Sequence, residues 1–106
     1  MKKNVDLNKT GVVDYLCSNY EKFNWQRDNT SFDINMSVGN YKYRIGTNRS
    51  GERYLQVKEK GVSLGVEVSA KEYKGVDKLY DLVYEYINAV GQDKQWNNIL
   101  TDLMNH

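Results

Sequence analysis

Phe32-Asp33-Ile34-Asn35-Met36-Ser37-Val38, Gly39-Asn40, Tyr41-Lys42-Tyr43-Arg44-Ile45-Gly46-Thr47 is the stretch that decides the fold. Apolar and polar residues alternate on either side of Gly39-Asn40, which is the period of a half-buried strand. Gly-Asn suits the positive φ of a two-residue hairpin turn. Such a turn sets Val38 against Tyr41, Met36 against Tyr43 and Ile34 against Ile45. Directly opposed residues share a face, so all six land together.

Working outward, Arg49-Ser50-Gly51 reads as a three-residue hairpin loop with glycine in its left-handed last position. That loop sets Ile45 against Leu55 and Tyr43 against Val57. Lys60-Gly61 reads as a third turn into Val62-Ser63-Leu64-Gly65-Val66-Glu67-Val68, with Val57 against Leu64 and Leu55 against Val66. The three turns agree on one parity. A one-residue slip at any of them throws a strand's apolar set into water. Phe32 to Ser69 is therefore expected to form four antiparallel strands. One face is apolar, from Phe32 to Val68. The other carries Asp33, Asn35, Lys42, Arg44, Gln56 and Lys58 and is expected to stay open.

The flanks supply the cover that the apolar face needs. Residues 1–9 are polar and expected to fray. Thr10 stands as the N-cap of a first helix whose stripe is Val12, Val13, Leu16, Cys17, Tyr20 and Phe23. Trp25 to Ser31 reads as a polar connection with one aromatic anchor. Ser69-Ala70-Lys71-Glu72 has the spacing of a capping box, and apolar residues from Tyr73 to Val90 then recur at three and four. Gly75 is expected to mark a break before the main helix, and Gly91 to end it as a C′ glycine. Asp93 is then the cap of a short last helix that buries Trp96, Ile99, Leu100, Leu103 and Met104. The expected fold class is α+β: a four-stranded antiparallel meander with one face covered by helices, in the order α-β-β-β-β-α-α. A chain of 106 residues makes this a single domain, 1–106.

Composition removes several function classes. The 15 basic and 14 acidic residues nearly cancel, which gives no case for a dedicated DNA-binding protein. No apolar run approaches a membrane span. Met1-Lys2-Lys3-Asn4 has no apolar run behind it, so no signal peptide is expected. A single cysteine, Cys17, leaves no internal disulfide and fits a reducing cytoplasm. A single histidine, His106, leaves no Cys/His zinc cluster, and no Ser-His-Asp triad unless the chain end supplies the base. P-loop, dinucleotide and nucleophile-elbow motifs are missing. A non-enzymatic protein with no cofactor and no metal is expected.

The candidate binding surface is the open face. Lys42 lies opposite Lys58 with Arg44 beside them and Gln56 and Tyr54 on neighbouring rungs. Like charges directly opposed destabilise a sheet, so a chain that keeps them can use them on an anion. From Asn40 to Lys60, Lys42, Arg44, Arg49, Arg53, Lys58 and Lys60 stand against Glu52 and Glu59, six against two, a net +4. The plainer alternative is a solvated face whose lysines discourage edge pairing. Tyr54 faces Gly46 and covers its bare backbone, or else offers a base a stacking platform. Tyr86 falls off its helix's core stripe, beside Asp81, Glu85 and Asn88, a setting that suits protein recognition. Asp77, Asp81 and Glu85 form an acidic ridge that reads as solvated surface. The candidate binding residues are Lys42, Arg44, Arg49, Arg53, Tyr54, Gln56, Lys58 and Tyr86.

In size, one-domain α+β build and a composition rich in Lys, Asn and Tyr without proline, the whole chain resembles the small phage-encoded inhibitors of bacterial defence nucleases, the anti-CRISPR type. The resemblance implies a protein partner, a host defence nuclease or its complex, in the host-cell cytoplasm. Many such inhibitors are acidic nucleic-acid mimics. The near-neutral charge and basic sheet face here depart from that and point to direct occlusion or to contact with guide RNA. In outline, four antiparallel strands followed by a helix is also similar to Whirly-type proteins, which implies single-stranded nucleic-acid binding on the open face as the alternative.

Overall fold

The computed structural model describes residues 2–28 and 33–106, with side chains from residue 8 onward. Phe32 and the 29–31 part of the connection lie outside the described residues. Three glycines take the left-handed conformation that their turns require: Gly39, Gly51 and Gly61, at φ of 58°, 82° and 83°. The strands they join are β2 (Ile34–Val38), β3 (Tyr41–Thr47), β4 (Arg53–Glu59) and β5 (Val66–Ser69). Val38 pairs with Tyr41, Ile34 with Ile45, Ile45 with Leu55 and Tyr43 with Val57, as the turn chemistry requires.

The sheet is antiparallel throughout but has five strands rather than four. β1 (Gln26–Arg27) pairs with the free edge of β2, Gln26 opposite Asn35 and Arg27 opposite Ile34. Two residues are too few to carry a period, so the stretch looks like plain connection. The last hairpin also differs. Lys60-Gly61 does turn, and Val62 N–H donates to Glu59 O at 3.1 Å. The chain then leaves β4 and rejoins it only at Val66, which pairs with Val57, while Val68 pairs with Leu55. The register is two residues off the expected one with parity intact. Gly65 sits where the chain returns: a Cβ there would lie 2.5 Å from the Val57 carbonyl oxygen. Val62 and Leu64, expected on the apolar face, are exposed.

Two helices cover the sheet, rather than three. The first, α1 (Lys2–Asn19), begins well before Thr10 and passes into a 3-10 turn, Tyr20–Lys22. The capping box forms: Glu72 N–H donates to Ser69 Oγ at 3.2 Å and Ser69 N–H to Glu72 Oε1 at 3.3 Å. Lys9 Nζ reaches the same carboxylate at 3.1 Å, and its hydrogen bond holds the Glu72 carboxyl below its usual range. α2 (Gly75–Met104) is one helix of 30 residues. Gly91 does not end it: the residue has no positive φ. A mid-helix glycine costs only about 1 kcal/mol against alanine, too little to break a run of helix formers. The segment that was to fold back therefore runs straight on, about 24 Å past residue 88 at 1.5 Å per residue. The molecule is 65 × 29 × 27 Å.

The core is one row of side chains. Ile34, Ile45, Leu55 and Val68 stand opposite one another from β2 to β5 and are at most 4% exposed. Val13 and Leu16 of α1 and Val76, Leu79 and Val83 of α2 are buried with them. Cover fails along the strands. The next row, Met36, Tyr43, Val57 and Val66, ends in a Val66 that is 70% exposed, and Val38 and Tyr41 beyond it are exposed as well.

Leu55→Ala is expected to cost about 2–5 kcal/mol in urea denaturation, because it empties the middle of the buried row. Gln56→Ala, one residue on but on the other face, is expected to stay within about 0.5 kcal/mol.

Candidate binding face

Strand alternation puts Asn35, Arg44, Gln56 and Glu67 in one row across the open face and Ser37, Lys42 and Lys58 in the next. Lys42 and Lys58 are direct Cα partners. Together with Asp28, Asn35, Arg44 and Gln56 they line a shallow hollow of about 130 Å³. Four of the expected site residues, Lys42, Arg44, Gln56 and Lys58, thus meet in one place.

Arg44 is not a free cation there. Its guanidinium Nη2 lies 3.0 Å from Asp33 Oδ2 and 3.7 Å from Asp28 Oδ2. Its Nε is buried with no hydrogen-bond partner, so the group is fixed by carboxylates on one side only. Tyr54 completes the arrangement. Its hydroxyl donates to Asp33 Oδ2 at 3.5 Å, and burial first, then the Asp33 charge, raise its pKa. Gly46 makes room for both groups. A Cβ there would fall 2.9 Å from the Tyr54 hydroxyl and into the Asp33 carboxylate. Tyr54 therefore covers bare backbone and is tied down; it is not a free stacking platform.

The remaining candidates lie elsewhere. Arg49 is exposed in the β3–β4 loop. Arg53 shares the parity of Leu55 and points to the helical side. Its Nη1 meets Asp77 Oδ1 at 3.3 Å and Asp81 Oδ1 at 3.1 Å, and its guanidinium lies over the Tyr80 ring at 4.4 Å. Two members of the acidic ridge are thus its partners rather than plain solvated surface. Tyr86 is half-buried, edge-on to Tyr20 at 5.6 Å, with its hydroxyl donating to Glu21 O at 3.4 Å. It pins α2 to the 3-10 turn and does not stand out for a partner.

The residues that sequence reasoning undervalued are Asp28 and Asp33. Asp33 stands on the polar face two residues from Asn35, which was signal enough to pair it with Arg44. Asp28 comes from the connection and had none. Cys17, on the first helical stripe, has its thiol facing Gly75 O at 3.7 Å, and burial raises its pKa. Among the described residues no group of His, Cys, Asp and Glu fits a metal ion, and no helix is long and apolar enough to cross a membrane.

No family model, no curated protein and no solved structure matches the chain.

Gly46→Ala is expected to push Asp33 off Arg44 and to cost roughly 1–3 kcal/mol, as overpacking does, read from thermal melts. At neutral pH Cys17 is expected to react with a thiol reagent many times more slowly in the folded protein than in urea, since a raised pKa leaves less thiolate. Labelling at equal rates would contradict its burial.

Proposed function

We propose that this protein is a non-enzymatic binding protein that acts by surface contact, with its open sheet face set against an acidic patch of a protein partner. The observation that carries this is the direct opposition of Lys42 and Lys58 on adjacent strands, beside an Arg44 held in place by two carboxylates. Two like charges face to face are a local cost that an anionic surface cancels on docking. The class of partner follows from the build that the chain resembles: a host defence nuclease or its complex, occluded by a phage or mobile-element inhibitor of the anti-CRISPR type inside the host cell.

The face suits an acidic protein patch better than a single-stranded nucleic acid. A strand binder combines a continuous cationic track with free aromatic platforms. Here Asp28, Asp33 and Glu67 interrupt the cations, and Tyr54 is engaged with Asp33.

The test is the double substitution Lys42→Ser with Lys58→Ser. Recovery of the protein partner from cells that carry defence complexes is expected to fall at least tenfold. Stability is expected to stay level or rise by a few tenths of a kcal/mol, because the repulsion is gone. Salt is expected to slow association with that partner. Labelled single-stranded DNA and RNA are expected not to bind at physiological ionic strength. Tight oligonucleotide binding, with a salt slope of about 0.7 per phosphate contacted, would instead establish the nucleic-acid alternative. Undiminished partner recovery by the double variant would remove this face as the site.

A further inference from the structure

The helical side of the molecule carries two apolar surfaces that none of the described side chains covers. The first is the far end of α2. Trp96, Ile99, Leu100, Leu103 and Met104 fall at the i, i+3, i+4, i+7, i+8 spacing of one helix face, and all are exposed, Trp96 by 68%. This stripe does not continue the one that packs on the sheet. Val76, Leu79 and Val83 lead on to Lys94, Asn97 and Thr101, which are polar. The apolar stripe lies about a third of a turn round the helix from that line. It is a separate surface facing away from the line that serves the core.

The second is a groove along the outer flank of α1. Asn8, Val12 and Tyr15 share one face of that helix. Val12 is common to two adjoining hollows, of about 270 and 490 Å³, whose other walls include Val57 and Val66 on one side and Met36 and Val38 on the other. This is the end of the apolar sheet face where cover fails. It is the place for a third helix, and a third helix is what Gly91 fails to turn back.

We propose that the chain forms a reciprocal dimer, in which the α2 extension of each copy fills the α1 groove of the other. The two surfaces answer each other in chemistry: an amphipathic helix with a Trp anchor, and an apolar groove beside a helix. A two-fold axis satisfies both at once, since each copy gives a helix and receives one. Five large side chains, the groove that receives them, and the symmetry copy together bury roughly 2,000 Å², at the top of the range for specific interfaces. The contact uses the opposite side of the sheet from Lys42 and Lys58 and is independent of what binds there. It leaves two open faces on one particle.

Light scattering on the full chain tests this. The mass is expected to be twice 12.4 kDa at micromolar concentration. Leu100→Glu with Leu103→Glu is expected to give a monomer with an unchanged melting point in dilute solution, because both side chains are exposed and neither belongs to the core. Val12→Glu, in the groove, is expected to give a monomer as well. Mixing the two variants is expected to restore a dimer of mixed composition, with one intact helix–groove contact. Three results would overturn the proposal. If the groove variant stays dimeric, the extensions pack on each other. If the wild type is monomeric at all concentrations with the Trp96 emission (wild type minus Trp96→Phe) water-exposed, the stripe is free. If it is monomeric with that emission shielded, the helix bends at Gly91 onto its own groove.

Discussion

One row of contacts holds the fold: Ile34, Ile45, Leu55 and Val68, each directly opposite the next across four strands. Every connection must deliver its strand in register with that row, and both helices bury their stripes on it. The row explains why the last hairpin tolerates a change of two residues. β5 exchanges Val66 for Val68 opposite Leu55, which keeps an apolar side chain in the row and the parity of the strand. An odd shift would have put Glu67 there instead, and a lone charge beside three aliphatic side chains is far more costly than a longer loop.

The two faces of the sheet solve their charge problems differently. On the helical side, Arg53 is taken up by Asp77 and Asp81 and packs on Tyr80, which in turn stacks on Tyr84, with Arg27 over the far ring at 5.1 Å. Two stacked rings on α2 thus carry a cation at each end, and the sheet is tied to the helix without further apolar surface. On the open side, Arg44 is held by carboxylates while the two lysines are left opposed. A segment with a net +4 thus presents less free charge than its composition implies, and two of the four cations that remain, Lys42 and Lys58, stand on one rung.

Much of this architecture was legible because the strands from β2 to β4 obey local rules. Alternation sets the faces, and the glycines of two turns, Gly39 and Gly51, set the register. The capping box at Ser69 and Glu72 was legible for the same reason. What escaped depends on partners rather than on period. β1 is a strand only because β2 has a free edge. Gly65 matters only because the Val57 carbonyl is there. Gly91 looks like a helix end in a list of residues, yet whether a glycine stops a helix depends on whether the next residues have something to turn back for. On the open face, Lys42, Lys58 and Gln56 were placed by parity alone. Arg53 was misplaced because a charge count ignores which way a strand residue points.

The long second helix also has a mechanical consequence. It is one helix by geometry but two by stability. Up to Asn88, which accepts from Arg27 at 3.0 Å, unwinding must break tertiary contacts. Beyond it, among the described residues of a lone molecule, the helix's own ladder is what resists, closed at the end by Asn105 N–H on the Thr101 carbonyl. Such a segment frays in small steps while the remainder opens only with the domain, so amide exchange should change class within a single uninterrupted helix. A load applied at the far end of the extension would unwind it turn by turn before the packed turns around Val83 gave way. The extension is therefore a compliant tether joined end-on to a stiff body.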